Sequence, residues 1–466
     1  VSSLIGDGAR LVDAPTGQVL EGDELVAEVL RAGERLAALP PGVLFARIGA
    51  DLDGVLTYLG AFEAGRAVAL LDPGLDADLL TGFVRRFRPA AVLGAPGAPA
   101  PDGYTARDGH WLRTTSDGIE PHPDLAVLLA TSGSTGDPRL VRLSRRAVLS
   151  NAGAIADALG IHRGDLAPTS LPLHYSFGLS VLNSHLVRGA GVLVEPSGLL
   201  ERGFWDAVSR HGATSLAGVP YHYEMLHRLR FDPRRYPSLR TLTQAGGKLR
   251  TELVAEFHDT MNAVGGRMFV MYGQTEAAPR MATLPAERLP EKLGSAGTAL
   301  PGGALSVRRD DGAETTHPKI VGEIVYRGPN VMMGYAETAA QLAHGDEMGG
   351  VLGTGDLGYL DEEGFLFVTG RLKRIGKVFG NRVNLDDLEH AARATAEGIE
   401  VVAAVPAGDK VVLFAEGAGA EKCKAVSRAL ADRLHLHSSG FDVRPIDTVP
   451  LLASGKIDYR VLERGL

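Results

Sequence analysis

Residues 127–136 read Val-Leu-Leu-Ala-Thr-Ser-Gly-Ser-Thr-Gly. The run begins as a short buried strand and ends in small hydroxyls and glycines. Thr131, Ser132, Gly133, Ser134, Thr135 and Gly136 therefore stand at the carboxyl end of a strand. Glycines let backbone N–H groups close on an anion, and the hydroxyls add donors, so the composition suits a phosphate. A Ser/Gly-rich surface turn has the same composition. The loop is not the P-loop of nucleotide triphosphatases, which needs Gly-x-x-x-x-Gly-Lys-Ser/Thr; here Gly136 is followed by Asp137, Pro138 and Arg139. The other Gly-Lys pair, Gly455–Lys456, is followed by Ile457 and lacks the upstream glycine.

The flanking pattern places this loop between regular elements. After it, Ser144 is a candidate N-cap, Val148, Ala152, Ile155 and Leu159 share one helical face, and Gly160 is a stop. Before it, residues 23–38 and 53–65 have helical spacing, and 43–48 and 67–71 are short apolar strands. Further strands read at 192–195, 215–219, 241–245 and 267–271, each ending near Gly or Pro. Alternation of this kind indicates parallel α/β layers, in which ligands gather at the carboxyl ends of strands. Two such ends carry Gln244-Ala-Gly-Gly247 and Tyr272-Gly-Gln-Thr-Glu276.

After about residue 300 the pattern changes. Residues 304–309, 322–327 and 365–369 read as strands of a small β-rich subdomain. The cationic, glycine-rich segment Gly370–Gly380 follows, and then a compact α+β unit: a helix over 385–397, a hairpin from 401–405 and 410–416, and a helix over 421–436. The expected division is residues 1–370 as a large domain and 371–466 as a small one.

Composition narrows the function. The chain has 466 residues, too many for one core, with 45% hydrophobic and 22% charged residues, as in ordinary globular proteins. A net charge of −8 with both signs interspersed offers no basic field for nucleic acid. The single cysteine, Cys423, excludes an internal disulfide framework. Apolar runs are too short for a membrane span, and the first residues do not have a signal-peptide pattern. A cytoplasmic location is the expectation.

Taken together, Thr131–Gly136, Tyr272–Glu276, Thr354-Gly-Asp356 with Gly370-Arg371, and Ser454-Gly-Lys456 resemble, in order and spacing, the adenylate-forming superfamily of acyl-CoA synthetases, peptide-synthetase adenylation domains and luciferases. The resemblance runs from about residue 45 to the end. It implies an α/β N-terminal domain and a small mobile C-terminal domain carrying a catalytic lysine, Lys456. Thr131–Gly136 would wrap the β- and γ-phosphates of ATP. Gly246 and Gly247 would lie beside the adenine, and Tyr272 would stack on it, with Gly273 and Gln274 in the same segment. Thr275 would bond the α-phosphate, and Glu276 would hold Mg²⁺, a hard cation suited to carboxylate oxygen. Asp356 would accept the ribose hydroxyls, and Arg371 would brace ribose and phosphates. Lys456 would bridge the incoming carboxylate and the α-phosphate.

Departures from the superfamily pattern are few. Arg139 stands where Lys is usual, and the two are not interchangeable at a forked contact. Lys373 occupies the hinge position, more often Asp. Gly376 replaces a customary apolar residue, which would loosen that hinge. The chain is short before the phosphate loop, which would trim the amino-terminal part and open the acid pocket.

Leu171-Pro-Leu-His-Tyr-Ser-Phe-Gly-Leu179 resembles the Pro-Leu-aromatic-His region of acyl- and aryl-CoA synthetases. His174, Tyr175 and Gly178, with Val219 and Tyr221, are the candidate acid-pocket residues; ordinary packing is the alternative for each. None of residues 171–181 is acidic. A buried substrate ammonium would lack a partner, so a non-amino carboxylic acid is expected. The resemblance also implies a second step in which the small domain turns about Lys373 and Gly380 lines the way for a pantetheine thiol, of CoA or of a carrier protein. An amino-acid-activating enzyme and a non-catalytic nucleotide-binding homologue are the competing readings.

Overall fold

The computed structural model describes residues 3–95, 97, 99–131, 139–372, 374–379, 381–395, 399, 401–452 and 456–466. They gather into two compact units, Val1–Leu305 with Tyr326–Leu352, and Ser306–Val325 with Gly353–Leu466.

In the first unit the expected helices form with their apolar stripes inward. Gly22–Ala37 buries Leu25, Val29 and Leu36, and Leu52–Glu63 is capped by Asp51, whose carboxylate accepts the Gly54 N–H. An eight-stranded sheet runs in the order Gly334–Ala336, Arg139–Ser144, Leu125–Thr131, Val68–Leu71, Leu44–Arg47, Ala91–Leu93, His110–Arg113, Tyr104–Arg107. Its four central strands are parallel. Both flanks are antiparallel, so the sheet is mixed, where alternation alone suggests parallel layers. Connection length is the reason. A parallel crossover takes about a dozen residues or more, and the segment between Thr131 and Arg139 is too short, so the chain returns beside itself.

Leu44, Leu70, Val127, Leu129 and Val141 of this sheet are fully buried. Each such side chain stabilises the fold by roughly 1.5–3 kcal/mol relative to exposure.

A five-stranded sheet sets Ser215–Gly218, Thr241–Gln244 and Arg267–Gly273 side by side and parallel, then turns back through Arg280–Leu284 and Thr298–Ala299. The ends of its three parallel strands therefore lie on one edge. Val219–Tyr221, Gly246–Gly247 and Gln274–Glu276 follow directly from those ends.

Helix Arg145–Leu159 starts and stops where the spacing predicts. Ser144 Oγ accepts the Ala147 N–H at 3.0 Å, and Gly160 closes the helix at φ 66°. This helix also clamps the turned-back strand. The buried Asn151 donates to the Arg280 carbonyl at 2.7 Å and accepts the Arg280 N–H at 3.1 Å.

The second unit contains most of a five-stranded sheet ordered Glu314–Thr315, Ala304–Arg308, Gly322–Arg327, Val351–Leu360, Leu366–Arg371. The hairpin of Ile375–Val378 with Asn381–Asn384 follows, then helix Leu385–Thr395 and a three-stranded sheet of Val402–Ala407, Lys410–Glu416 and Phe441–Ile446. Helix Ala420–Leu434 contributes Cys423, Val426 and Leu430 to a core shared with Val378, Leu388 and Leu413. Position 371 lies inside this unit, at the end of a strand. Gly376 is buried and paired with Val383, and a Cβ there would meet Leu385 at 2.8 Å and Val411 at 3.0 Å. Neighbouring methyl groups thus fill the space of its missing side chain.

Asn151→Ala would strip the Arg280 N–H of its partner inside the core. The expected loss is about 1–3 kcal/mol, read as a lower urea midpoint at unchanged slope.

Candidate active site

At the first edge, the phosphate-loop strand is the starting point. Thr131 is the last register position of Leu125–Thr131 and lies opposite Arg139. Residues 132–138, which include Ser132, Gly133, Ser134, Thr135 and Gly136, lie outside the described residues. Arg139 places its guanidinium 3.5 Å from the centre of the Tyr335 ring. Its Nε is buried and has no hydrogen-bond partner among the described residues. The Tyr335 hydroxyl in turn donates to Glu276 Oε1 at 2.8 Å. Burial, followed by the adjacent Glu276 carboxylate, holds the Tyr335 phenol far above its ordinary value, so it stays protonated and donates. A cation, an aromatic ring and a carboxylate thus stand in series.

The turn Tyr272–Glu276 has its own support. A Cβ on Gly273 would lie 2.0 Å from the Pro279 carbonyl, so only glycine fits where the strand bulges. Gln274 N–H donates to that carbonyl at 2.8 Å. Met332 N–H donates to the Glu276 carbonyl at 2.9 Å, and Asn330 donates to the Ala277 carbonyl at 2.6 Å. The Thr275 hydroxyl pairs with Ser176 at 3.0 Å. Tyr272 packs partly buried beside Ala277, Met281 and Leu352.

The neighbouring strand ends bring Gly246, Val219 and Tyr175 together. Gly246 sits at φ 83°, and a Cβ there would be 2.5 Å from Tyr175 Oη and 3.1 Å from Val219. The Tyr175 hydroxyl closes on the Gly246 backbone where a side chain would stand, so only glycine fits there. Gly247 faces the Pro220 ring, and Gln244 donates to the Gly247 carbonyl at 2.8 Å. Burial pushes Tyr175 up to about 12, with Arg280 pulling it down. Tyr221 packs partly buried against the cluster of Ile155, Phe177 and Val219.

His174 stands beside Asp72, at 3.7 Å from Nε2 to Oδ2, and its Nδ1 is buried without a hydrogen-bond partner among the described residues. Burial lowers its pKa, with Asp72 opposing. Gly178 is packed on the chain itself: a Cβ would lie 2.3 Å from the Pro172 carbonyl. It permits the turn that presents Tyr175.

Asp356, Arg371 and Lys456 belong to the second unit. Asp356 and Arg371 are opposite each other in the sheet, with Arg371 Nε 3.0 Å from Asp356 Oδ1. The carboxylate side chain is 5% exposed and the arginine 59%, so a buried acceptor is braced by a solvated cation. Thr354 Oγ fixes the approach, donating to the Ile324 carbonyl at 2.8 Å and accepting the Asp356 N–H at 3.1 Å. Lys456 is exposed on a turn closed by the Leu451–Ile457 bridge, and its carbonyl accepts the Leu452 N–H at 2.7 Å. Beyond it, Tyr459 lies under the Arg374 guanidinium at 3.9 Å and donates to Glu389 at 3.1 Å, which anchors the turn on the buried side. Lys373 and Gly380 lie outside the described residues.

Sequence reasoning misses Tyr335, Ser176, Asp72, Asn330 and Arg280. The first four carry no local signal. Arg280 carries one, because a lone cation heads the otherwise uncharged strand Arg-Met-Ala-Thr-Leu.

The AMP-binding enzyme family profile matches residues 51–336. The chain belongs to the AMP-binding enzyme family. Within this family the chain is 27% identical over 355 residues to the oxalate–CoA ligase of Saccharomyces cerevisiae, a match covering 74% of this chain and 64% of that protein. It is 34% identical over 249 residues to the 2-succinylbenzoate–CoA ligase of Bacillus subtilis, covering 53% and 49%. These matches thus span about half to two-thirds of the length of these relatives. The fold of the AMP-binding chain also matches the O-succinylbenzoate Coenzyme A synthetase of Bacillus subtilis solved with ATP and magnesium ion, with a TM-score of 0.74, 24% identity and coverage of 97% and 96%. The large-plus-small α/β architecture expected from the sequence is that of adenylate-forming ligases.

Three buried histidines near this site make the AMP-binding fold acid-sensitive. Burial lowers His174 and His185, and pushes His222 down to about 4. Folded histidine is neutral where the unfolded chain, titrating near 6.5, takes up protons. Stability is therefore full above about 6.5 and falls as pH drops toward 4. His222→Gln should flatten that decline in urea midpoints measured across pH.

Proposed function

We propose that this chain is an ATP-dependent acid–thiol ligase acting on a non-amino carboxylic acid. The observation that carries the reading is the series Arg139–Tyr335–Glu276 beside Thr275, in an AMP-binding enzyme family chain whose Gly246 and Glu276 follow the ends of parallel strands. A carboxylate oxygen attacks the α-phosphorus of ATP, the bond to the β-phosphate bridging oxygen breaks, and pyrophosphate leaves. A pantetheine thiolate then attacks the acyl carbon, AMP leaves, and a thioester forms.

Each residue has a task in this reading. Arg139 and the loop 131–136 hold the departing phosphates. Gly246, Gly247 and Tyr272, with Gly273 and Gln274, form the adenine side, and Thr275 donates to the α-phosphate. Asp356 accepts the ribose hydroxyls and Arg371 orients it. Lys456, brought in by a lid of residues 371–466 turning about Lys373, offsets charge between the two anions. Val219, Tyr175 and Tyr221 border the acid, and Gly380 borders the thiol path.

Glu276 fits Mg²⁺. Among the described residues no group of three or more His, Cys, Asp or Glu surrounds a common point. One carboxylate with substrate phosphates is a donor set that Mg²⁺ takes, and the ion supplies charge neutralisation there. Free CoA and a carrier-protein arm present the same thiol. No helix among the described residues is long and apolar enough to cross a membrane. An amino-acid substrate is disfavoured, since the buried charge beside Tyr175 is the cation Arg280 rather than a carboxylate.

Acid-dependent ATP–pyrophosphate exchange is the expected activity, and silence across a broad acid panel would overturn it. Lys456→Ala should lower exchange on the order of 10²–10³-fold while sparing thioester formation from supplied acyl-AMP. Equal loss of both steps would contradict the assigned role.

A further inference from the structure

Arg280 heads a strand whose residues are all buried, and it is itself 2% exposed. Its guanidinium lies over the Phe177 ring, 4.4 Å from the centroid. The side chain makes one long hydrogen bond, to Ser180 Oγ at 3.4 Å, and its Nε has no partner. No carboxylate pairs with it among the described residues, and the one titratable group acting on it is Tyr175. Arginine stays protonated in proteins, so this is a buried cation without a counter-charge. Such a charge is costly to hold, and an aromatic face offsets only part of the cost.

The cation borders a cavity that it shares with Ile155, Phe177, Ser180, Val181 and Met271. Other charged or titratable groups on that cavity are already engaged. Asp165 accepts from Thr214 and from the His162 N–H. Arg267 donates to the Leu159 carbonyl and lies over Phe269. His185 is bonded to the Val181 carbonyl and to Ser215, and burial keeps it neutral. Arg280 is the buried cation of this set, and it has donors to spare. Its charge reaches Tyr175, the residue whose hydroxyl packs on Gly246.

We propose that the acid activated here carries a second carboxylate, and that Arg280 receives it. This deepens the ligase reading and rests on it. One carboxylate goes to the α-phosphate, an apolar stretch lies along Phe177 and Met271, and the far carboxylate supplies the missing counter-charge. A single guanidinium with one nearby hydroxyl matches a monoanionic group better than a phosphate dianion, which needs more donors.

The test is pyrophosphate exchange by the full chain with α,ω-dicarboxylic acids of graded length, each beside its monomethyl ester. At one or more lengths the diacid should exceed its ester in kcat/KM by about 30-fold or more. Arg280→Gln should abolish that preference, mainly by raising KM for the diacid, and Arg280→Lys should retain part of it. Esters turned over as well as diacids at every length would overturn the proposal and leave the ligase reading standing, as would a preference that survives Arg280→Gln. No exchange with any acid would overturn both. If Arg280→Gln does not fold, the wild-type comparison decides alone.

Discussion

A single hydroxyl, that of Tyr335, joins the two sheets on which the first unit's site is built. Its strand pairs with Arg139–Ser144 in the eight-stranded sheet, and its proton goes to Glu276, on the turn after the five-stranded sheet's third parallel strand. A hydrogen bond to a charged acceptor contributes roughly 1.5–3 kcal/mol, enough to fix one carboxylate in place. The same ring carries Arg139 on its face. One aromatic side chain thus sets the separation of a cation and an anion.

Everything else at this edge serves to keep that arrangement from drifting. Gly273 lets the strand bulge against the Pro279 carbonyl, and Asn330 and Met332 hold the backbone of the turn. Gly246 lets the backbone close on the Tyr175 hydroxyl, because its φ of 83° and that hydroxyl exclude a side chain. Parallel strands end with their loops on one side, so these pieces meet without any long excursion of chain. In the second unit a buried Asp356 is held by its cross-strand partner Arg371, the same logic of a charge fixed by register.

Much of this was legible in the sequence. Periodicity placed the helix after Ser144 and the strands ending before Gly246 and Gln274, because caps, glycines and apolar spacing are local properties. Motif order pointed to an AMP-binding enzyme, because each motif is carried by a few adjacent residues. The mixed character of the large sheet was less visible, since alternation of elements does not state strand direction; the short connection before Arg139 was the clue.

The sequence by itself determined the family, through short motifs of adjacent residues, and which strand ends carry those motifs. Only the tertiary structure decided that Tyr335 bridges Arg139 and Glu276, that His174 turns to Asp72, and that Arg280 is buried without a carboxylate. Those facts depend on contacts between residues far apart in the chain. No spacing rule encodes such contacts, because packing, not periodicity, chooses the partner.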